Sequence, residues 1–469
     1  MSKVKPKKPE EVKVAGRGRT NAAMNLANIV DAVDGQIFPA VYKNVKDEFA
    51  AQTPPVTLGF AQLGLITATR SILQSVSTPM WGWWSDKHSR KRLLAFGCWL
   101  WALFTILTAL SVGYVDLLFW RALTGVGLAV IVPTTGSLVT DYFPLERRGR
   151  AFGVLGFTGG MGAIIGTLFM TLAIPEDPHV LVYGLVGWRF GFIVVAIVSI
   201  IIGLTVWAFV VDPLRGGVEP ELLKILTEEK AQKYKVKRSD YAKILKKRTF
   251  IVILAQGVAG TIPWYGSILW VLAWFEFIGF SVPVAGIMFV IIAIGGSIGV
   301  VFGGWIGDRA SRWRPDSGRI IVAQISVFAG IPLSFVLFEL IPRLTSSFAL
   351  YVLFGFIMVL LITWAGPANN AIFSEIFEPE IRGSVFSVDR VFEGSVGALG
   401  TLFVGLFADY LTTSGVPNAA AALGDSMFVI AVVPWIACLI LYTLAYTTYP
   451  RDKATLRQAM ENRRKELEK

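Results

Sequence analysis

The residues of this chain that could do chemistry are charged side chains inside otherwise apolar stretches. They are Asp31, Asp34, Arg70, Arg121, Asp389, Arg390 and Glu393. Asp31 and Asp34 are one helical turn apart, and Asp389 and Glu393 have the four-residue spacing that places two side chains on one helix face. A charge in such a stretch persists only if it is paired or reaches water. Acids outnumber bases by one here, so one carboxyl group is formally unpaired and could exchange a proton.

Two interpretations of these charges remain open. In the one we favour, Asp31 or Asp34 binds a proton and Arg121 is its partner. In the other, all of the charges form fixed ion pairs that hold helices together. For Arg70 and for the group on the eleventh apolar stretch, neither interpretation is preferred, because Asp389 and Arg390 could lie near the edge of that stretch.

Polar and aromatic residues in the same stretches could line a cavity between helices. The candidates are Gln74, Gln256, Trp264, Tyr265, Trp364, Asn369 and Asn370. A single aromatic residue in an apolar helix more often packs or faces lipid. The adjacent amides of Asn369 and Asn370 are the stronger signal, because two amides in hydrocarbon would be costly.

Other chemistry is not indicated. The two cysteines, Cys98 and Cys438, lie in apolar stretches, and the two histidines, His88 and His179, lie in connecting segments. The sequence contains no metal-ligand spacing and no evident nucleophile–base pair. We therefore expect no enzyme activity, no metal and no cofactor.

The elements that must position these groups are membrane helices. The chain has 469 residues, of which 54% are hydrophobic and 16% charged, against about 45–50% and about 25% in soluble domains. About 20 apolar residues cross a bilayer core. We predict an all-α membrane protein whose twelve spans lie near residues 21–42, 56–84, 92–112, 116–140, 149–174, 188–211, 249–277, 283–306, 319–341, 347–374, 383–410 and 425–447.

The basic residues predict the orientation and the organisation. The net charge is +11, but Lys and Arg concentrate in both tails and in the segments on one side of the predicted spans. That pattern indicates topology rather than nucleic-acid binding, and it places both termini in the cytoplasm. The predicted parts are a tail (1–20), a six-helix bundle (21–211), a central loop with amphipathic segments at 221–226 and 241–245 (212–248), a second bundle (249–447) and a tail (448–469). The basic loop and tail could contact anionic lipid headgroups, and we expect a monomer in the cell membrane, with an organelle membrane as the alternative.

Two motifs occur twice, at nearly the same offset. The segment 82–90 after span two corresponds to 304–312 after span eight, and 141–149 after span four corresponds to 375–383 after span ten. Such repetition predicts two parallel six-helix halves related by a pseudo-two-fold axis along the membrane normal.

These motifs resemble those of the major facilitator superfamily. Its loop signature is matched by Gly82, Asp86, Lys87, Arg90 and Lys91, and again by Gly304, Asp308, Arg309 and Arg312. Its span-four pattern is matched by Arg121, Gly125 and Gly127. Ser89 and Ser311 stand where the family usually has glycine. Within the superfamily, the chain looks most like Spinster-type and uncharacterised members, as judged from Asn28, Asp31 and the segments 121–127, 143–149, 212–216 and 303–312.

The resemblance implies a secondary transporter that moves a small organic or amphipathic solute by alternating access, with proton symport. Family members use the span-one acid and the span-four arginine for this purpose. Spinster proteins, however, have Arg where this chain has Ala32, and Glu where it has Leu128. Lysophospholipid transport is therefore only suggested. The alternatives are a uniporter on the same fold, a non-transporting receptor and a lipid scramblase.

The repeated motifs also predict a cytoplasmic gate. A carboxylate can cap the free N–H groups at the start of a helix, so we expect Asp86 to cap span eleven and Asp308 to cap span five. Gly82 and Gly304 would allow close helix approach, and Arg90–Asp141 and Arg312–Glu375 would pair. The remaining predicted gate residues are Lys87, Arg148, Arg309 and Arg382. The alternative is a static cap with charges that only fix topology.

Overall fold

The computed structural model describes residues 16–52, 55–143, 145–175, 177, 180–212, 244–377, 382–416 and 418–467. These residues form helices apart from one two-stranded antiparallel hairpin, Leu181–Val182 with Leu185–Val186. The predicted segment 221–226, most of 241–245 and His179 lie outside the described residues. We call residues 16–212 the N-half and residues 244–467 the C-half.

The predicted twelve-span all-α fold is confirmed. The spans are, in order, Arg17–Ile37, Phe60–Lys87, Arg90–Ala109, Tyr114–Leu128 with Ile131–Tyr142, Leu145–Leu172, Gly187–Phe209, Arg248–Ile278, Val282–Trp313, Gly318–Ser334 with Phe335–Leu340 and Ile341–Leu344, Phe348–Ile362 with Ala365–Ile376, Arg382–Thr413, and Ala419–Leu467. A 3-10 turn, Pro39–Val41, and a helix, Tyr42–Ala51, follow span one.

Within the described residues, ten helices are long and apolar enough to cross a membrane. The helices of spans one and two are not among the ten. They carry Asp31, Asp34, Arg70 and Gln74, and these side chains lower the hydropathy of their helices. Spans one and two thus bring Asp31, Asp34 and Arg70 into the N-half, and span four adds Arg121.

Several boundaries differ from those predicted. Spans four and ten each break into two helices, at Ala129–Val130 and at Thr363–Trp364, and span nine contains a π-helix at Phe335–Leu340. Span twelve continues as a helix to Leu467, where we expected a tail from residue 448. This extension is fixed by tertiary contacts, because Asp452 accepts a hydrogen bond from the backbone N–H of Thr249 (3.0 Å) and Lys453 donates to the carbonyl of Pro315 (2.8 Å).

Glycines allow neighbouring helices to approach at backbone distance. A side chain at Gly162 or Gly166 of span five would overlap the backbone of Ile29 or Val33 of span one. Gly303 of span eight approaches Trp364 in the same way. Small residues at helix interfaces are the usual solution in membranes.

The two glycines of the repeated loop motif make looser contacts. The nearest atoms to a Cβ added at Gly82 or Gly304 belong to Pro133 and Pro367, at 3.7 and 3.9 Å. Since these prolines occupy corresponding positions in spans four and ten, the contact itself is repeated in the two halves.

Both halves begin and end at the same end of the bundle, which we call the tail end. In the N-half, Thr20 at the start of span one accepts a hydrogen bond from the Val211 N–H after span six (3.1 Å). In the C-half, the start of span seven is bonded to Asp452 as described above. The opposite end is called the far end.

At the far end the two halves contact each other closely. The Asp409 carboxylate, near the end of span eleven, accepts hydrogen bonds from the backbone N–H groups of Phe60 (2.9 Å) and Ala61 (2.8 Å). It thereby caps the start of span two in the other half, where the helix dipole favours a negative charge. Beside this cap, the rings of Tyr42 and Trp270 lie 4.6 Å apart between centroids.

We predict that replacing Asp409 by Ala shifts the protein away from this closed far end. The loss of a helix cap costs about 0.5–2 kcal/mol, which corresponds to about a 2- to 30-fold change in the closed-to-open ratio. Electron-paramagnetic-resonance distances between spin labels at the exposed positions Leu172 and Leu344 measure that ratio.

The matched control is Asp116→Ala. Asp116 caps Val112 and Gly113 at the same end of the protein but within one half, with both hydrogen bonds at 2.6 Å. The label distances should not change in this variant. An unchanged distance distribution in Asp409→Ala would show that the cap does not hold the halves together.

Candidate functional site

The Asp34 carboxylate is the centre of a buried charge cluster in the N-half. Its Oδ2 lies 2.9 Å from Nη2 of Arg70, and its Oδ1 lies 2.5 Å from Nη1 of Arg121. Trp101 donates its indole N–H to the same Oδ1 (3.1 Å). Asp34 is fully buried. Its contacts with Arg70, Trp101 and Arg121 join span one to spans two, three and four.

Asp31 lies at the edge of this cluster and is held more loosely. Its Oδ1 accepts a hydrogen bond from Gln74 (3.0 Å) and is 3.6 Å from Nη2 of Arg70. Its side chain remains 20% exposed, whereas that of Asp34 is 0% exposed. Gln74 also accepts a hydrogen bond from Arg70 (2.8 Å). With two acids and two guanidinium groups, the cluster is formally neutral.

Apolar neighbours complete the site around Arg121. Its guanidinium lies over the rings of Phe38 and Phe192, 5.7 and 5.4 Å from their centroids. Gly125, one turn later on span four, contacts the carbonyl of Arg70 so closely that a side chain there would overlap it. This glycine brings spans two and four near enough for both arginines to reach Asp34.

The structure therefore shows which of the two acids contacts each arginine. Arg121 binds Asp34, and it also donates to the Asp34 carbonyl (2.6 Å). Arg70 contacts both acids. Among the described residues, Asp31 forms no ion pair with Arg121, whose ion-pair partner is Asp34.

In the C-half, Asp389 and Glu393 lie on span eleven without such compensation. Asp389 is 7% exposed, and its Oδ1 has no hydrogen-bond partner among the described residues. Glu393 is half-buried and lies against the backbone of Gly257 in span seven. In the described part of the chain, neither carboxylate has an ion-pair partner within 4.0 Å. Arg390, which lies between them in sequence, is exposed.

Beside this pair, three helices share a neutral polar network. Asn369 of span ten donates to Gln256 of span seven (2.7 Å) and accepts from Tyr442 of span twelve (2.8 Å). Cys438 donates to the Gln256 carbonyl (3.3 Å). The amide and hydroxyl groups in this network satisfy one another in the core of the C-half.

The structure does not bring all of the predicted cavity residues together. Gln74 joins the N-half cluster, and Gln256 and Asn369 join the C-half network. Trp264 is 39% exposed and Asn370 is exposed. Tyr265 packs near Gly397, and Trp364 lies against Gly303, with an indole N–H that has no partner among the described residues.

The predicted Arg312–Glu375 pair is wrong. Glu375 binds Arg319 (2.8 Å) and Lys453 (2.7 Å), and it accepts a hydrogen bond from Tyr449. The reason is that span eight runs on to Trp313, so span nine starts later than its counterpart and Arg319, rather than Arg312, takes the place of Arg90. In the N-half, Arg90 pairs with Asp141.

The predicted caps at the tail end are not seen in the described residues. Asp308, expected to cap span five, has a side chain that is 66% exposed and binds Arg319 (3.0 Å). Arg309 and Arg312 are exposed, and Arg312 donates to the Asp308 carbonyl (3.3 Å). The side chains of Asp86, Lys87, Arg148 and Arg382 lie outside the described set.

Sequence reasoning missed three residues that complete these sites: Trp101, Tyr442 and Asp409. Nothing in the sequence distinguishes Trp101 or Tyr442 from other aromatic residues of apolar helices. Asp409 did carry a signal, since it is a single acid near the end of an apolar helix.

Comparison with known proteins matches residues 24–401 to the Major Facilitator Superfamily. The hexuronate transporter of Bacillus subtilis is 23% identical over 83% of this chain and 87% of its own length. Protein spinster of Drosophila melanogaster is 23% identical over 67% of this chain and 50% of its own length. The crystal structure of a bacterial homologue of the human lysosomal transporter Spinster, in an inward-facing, unoccupied conformation, superposes with a TM-score of 0.79 and 21% identity, covering 94% of this chain and 99% of that one.

We predict that Asp34→Asn destabilises the protein far more than Asp31→Asn. Neutralising Asp34 leaves two buried guanidinium groups in excess of their counter-charge, and breaking a buried pair costs about 3–5 kcal/mol. Neutralising Asp31 removes only the longer and more exposed contact, which we expect to cost about 1 kcal/mol. Thermal unfolding of the two purified variants in detergent measures the difference.

Asp31→Asn is the matched control, because both acids lie on the same helix, one turn apart. Adding Arg121→Gln to Asp34→Asn should recover part of the lost stability, since it removes one of the uncompensated charges. Equal unfolding midpoints for the two single variants would contradict the central role assigned to Asp34.

Proposed function

This chain belongs to the Major Facilitator Superfamily, and from that premise we propose that it is a proton-coupled symporter for a small organic or amphipathic solute, working by alternating access between its two halves. As a member of this family, it is a multi-pass membrane transporter of small solutes and not an enzyme. The coupling ion, the solute and the orientation belong to the proposal.

The observation that carries the proposal is that the two acids of the N-half cluster differ in the number and length of their ion-pair contacts. Asp34 contacts two guanidinium groups, whereas Asp31 has one ion-pair contact at 3.6 Å and stays partly exposed. Asp31 is therefore the acid that can take up a proton with the smaller loss of contacts. When it does so, the cluster changes from neutral to one net positive charge.

That net charge supplies a reason for coupling. With Asp31 protonated, Arg70 retains only Asp34, which it shares with Arg121. An anionic group on the solute would restore neutrality in a site where uncompensated charge is costly. Proton binding and solute binding then favour each other, which is the thermodynamic requirement for symport. A hexuronate is one solute with such a group, and a phosphate-bearing lysolipid is another.

For the conformational cycle, we propose that the two halves rock about the level of the N-half charge cluster. The Asp409 cap and the ring pair of Tyr42 and Trp270 support closure at the far end. The repeated motifs at the tail end, with Asp86 and Asp308 as their acids, would close that end in the alternate state. The basic residues favour a cytoplasmic tail end, and the proposal places the protein in the cell membrane.

Uniport is the second candidate, and a specific observation favours it. All four charges of the N-half cluster have an opposite charge within 3.6 Å. If these pairs stay fixed throughout the cycle, solute moves only down its own gradient.

We predict that a proton gradient drives solute accumulation in proteoliposomes of the wild-type protein. Radiolabelled glucuronate is the first probe, and a lysophospholipid is the second. A gradient of about one pH unit can support up to about tenfold accumulation per proton. Asp31→Asn should abolish accumulation but preserve exchange of labelled for unlabelled solute, because the variant still binds solute but no longer needs the proton.

The control is Asp47→Asn, which neutralises an exposed acid on the helix that follows span one. Its accumulation should match that of the wild type. Wild-type uptake that is identical with and without the gradient would establish uniport instead.

A further inference from the structure

The carboxylates of Asp389 and Glu393 are two neighbouring acids of the described core that have no ion-pair partner there. The N-half acids face two guanidinium groups, but the C-half pair has no cation within 4.0 Å in the described part of the chain. Asp389 is more than nine-tenths buried, and one of its oxygens lacks any hydrogen-bond donor there. A desolvated oxygen of this kind requires a positive partner or a proton.

The surroundings of the pair supply no such partner. On span eleven itself, Arg390 attracts both carboxylates electrostatically but is exposed and forms no ion pair with them among the described residues. On span twelve, Cys438 and Tyr442 are near enough to Glu393 to interact with it electrostatically. Both are neutral groups, and their hydrogens are donated to Gln256 and Asn369.

Span seven makes room for the Glu393 carboxylate. Gly257 faces it directly, and even a methyl group at this position would overlap Oε1. One turn further along span eleven towards the far end, Gly397 packs on Thr261 and Tyr265 of span seven. No charged group is contributed by span seven in this contact region.

The pair also lies at the level of the N-half cluster. Gly394 contacts Ser75 of span two, and these residues directly follow Glu393 and Gln74 in sequence. The two charged sites are therefore next to each other across the contact between spans two and eleven. A change in charge at Glu393 acts on the contact that joins the halves.

We propose that Asp389 and Glu393 form a second binding site for the coupling cation, located in the C-half and separate from Asp31. The cation is a monovalent one that both carboxylates share, which means a proton or a sodium ion. The arrangement within the described residues contains no cluster of His, Cys and acids that could hold a metal such as zinc. This inference rests on the proposed function, because a coupling cation presupposes solute transport.

The experiment measures cation binding by the purified full-length protein in detergent, without solute. In weakly buffered solution, a pH indicator counts the protons bound between about pH 5.5 and about pH 8. The wild type should bind about one proton more than the double variant Asp389→Asn/Glu393→Gln, because a carboxylate pair that shares a proton titrates in steps displaced from the range of free acids. The control Asp47→Asn/Asp316→Asn removes two exposed acids and should leave the proton count of the wild type unchanged.

A second arm tests sodium. The unfolding temperatures in sodium chloride and in choline chloride are compared at equal ionic strength, so that only specific binding stabilises the protein. Stabilisation by sodium that is lost in the double variant supports the site with sodium as its cation. A proton difference supports it with the proton. If neither quantity differs between the wild type and the double variant, the site does not exist.

Glycine variants keep the test valid if the double variant does not fold. Gly257→Ala displaces the Glu393 carboxylate without removing it and should shift the binding curve in whichever arm is positive. Gly366→Ala, at a position with no atom within 4 Å of the added methyl group, should not. An unshifted curve for Gly257→Ala would count against Glu393 as a ligand.

These outcomes separate the two proposals. If wild-type proteoliposomes show no gradient-driven uptake but the double variant loses cation binding, the symport proposal fails and the site stands. If uptake is driven by the gradient but cation binding is the same in both proteins, only the second site is refuted.

Discussion

The interaction on which the N-half depends is the contact of one buried carboxylate, Asp34, with two guanidinium groups. In a bilayer interior no water compensates an isolated charge, so Arg70 and Arg121 can remain in spans two and four only if an acid from another helix reaches both. This requirement fixes the relative depth of spans one, two and four. It also explains why Gly125, which lets spans two and four approach closely, lies one turn from Arg121. The hydropathy of spans one and two is low for the same reason.

Much of the fold could be predicted from the sequence, because the bilayer imposes a length and a composition on every span. The site was predictable only as a set of residue types. Asp31 and Asp34 share a helix face, so spacing alone could not decide which of them binds Arg121. Arg312 was expected to pair with Glu375 because it repeats Arg90 in sequence. A longer span eight gives that place to Arg319, and the length of a helix beyond the membrane is not determined by hydropathy. The partners of Asp409 and Tyr442 lie in other helices far away in sequence, and no local pattern specifies such contacts.

The two halves repeat the backbone but not the electrostatics. Gly82 with Pro133 and Gly304 with Pro367 are the same contact in both halves. In the N-half, however, the core contains a balanced set of four charges, whereas the C-half has a neutral network of amide, thiol and hydroxyl groups beside two acids that have no ion-pair partner in the described part of the chain. A duplicated scaffold places corresponding helices at corresponding depths, and the chemistry at those positions then varies independently. The two halves therefore present different side-chain chemistry at corresponding depths.

The contact between spans two and eleven links the two charged sites to the interface between the halves. Their contact begins at the Asp409 cap, passes Gly64 against the Thr401 backbone and reaches Ser75 against Gly394. The residues beside this last contact are Gln74, which binds Asp31, and Glu393. The same pair of helices that closes the far end therefore passes between the two acidic sites. Because glycine contacts leave no flexible side chain to absorb a displacement, a shift of either helix at the level of the charges must be transmitted towards the cap. In the proposed mechanism, cation binding at the centre and closure at the far end are therefore coupled through one helix–helix contact.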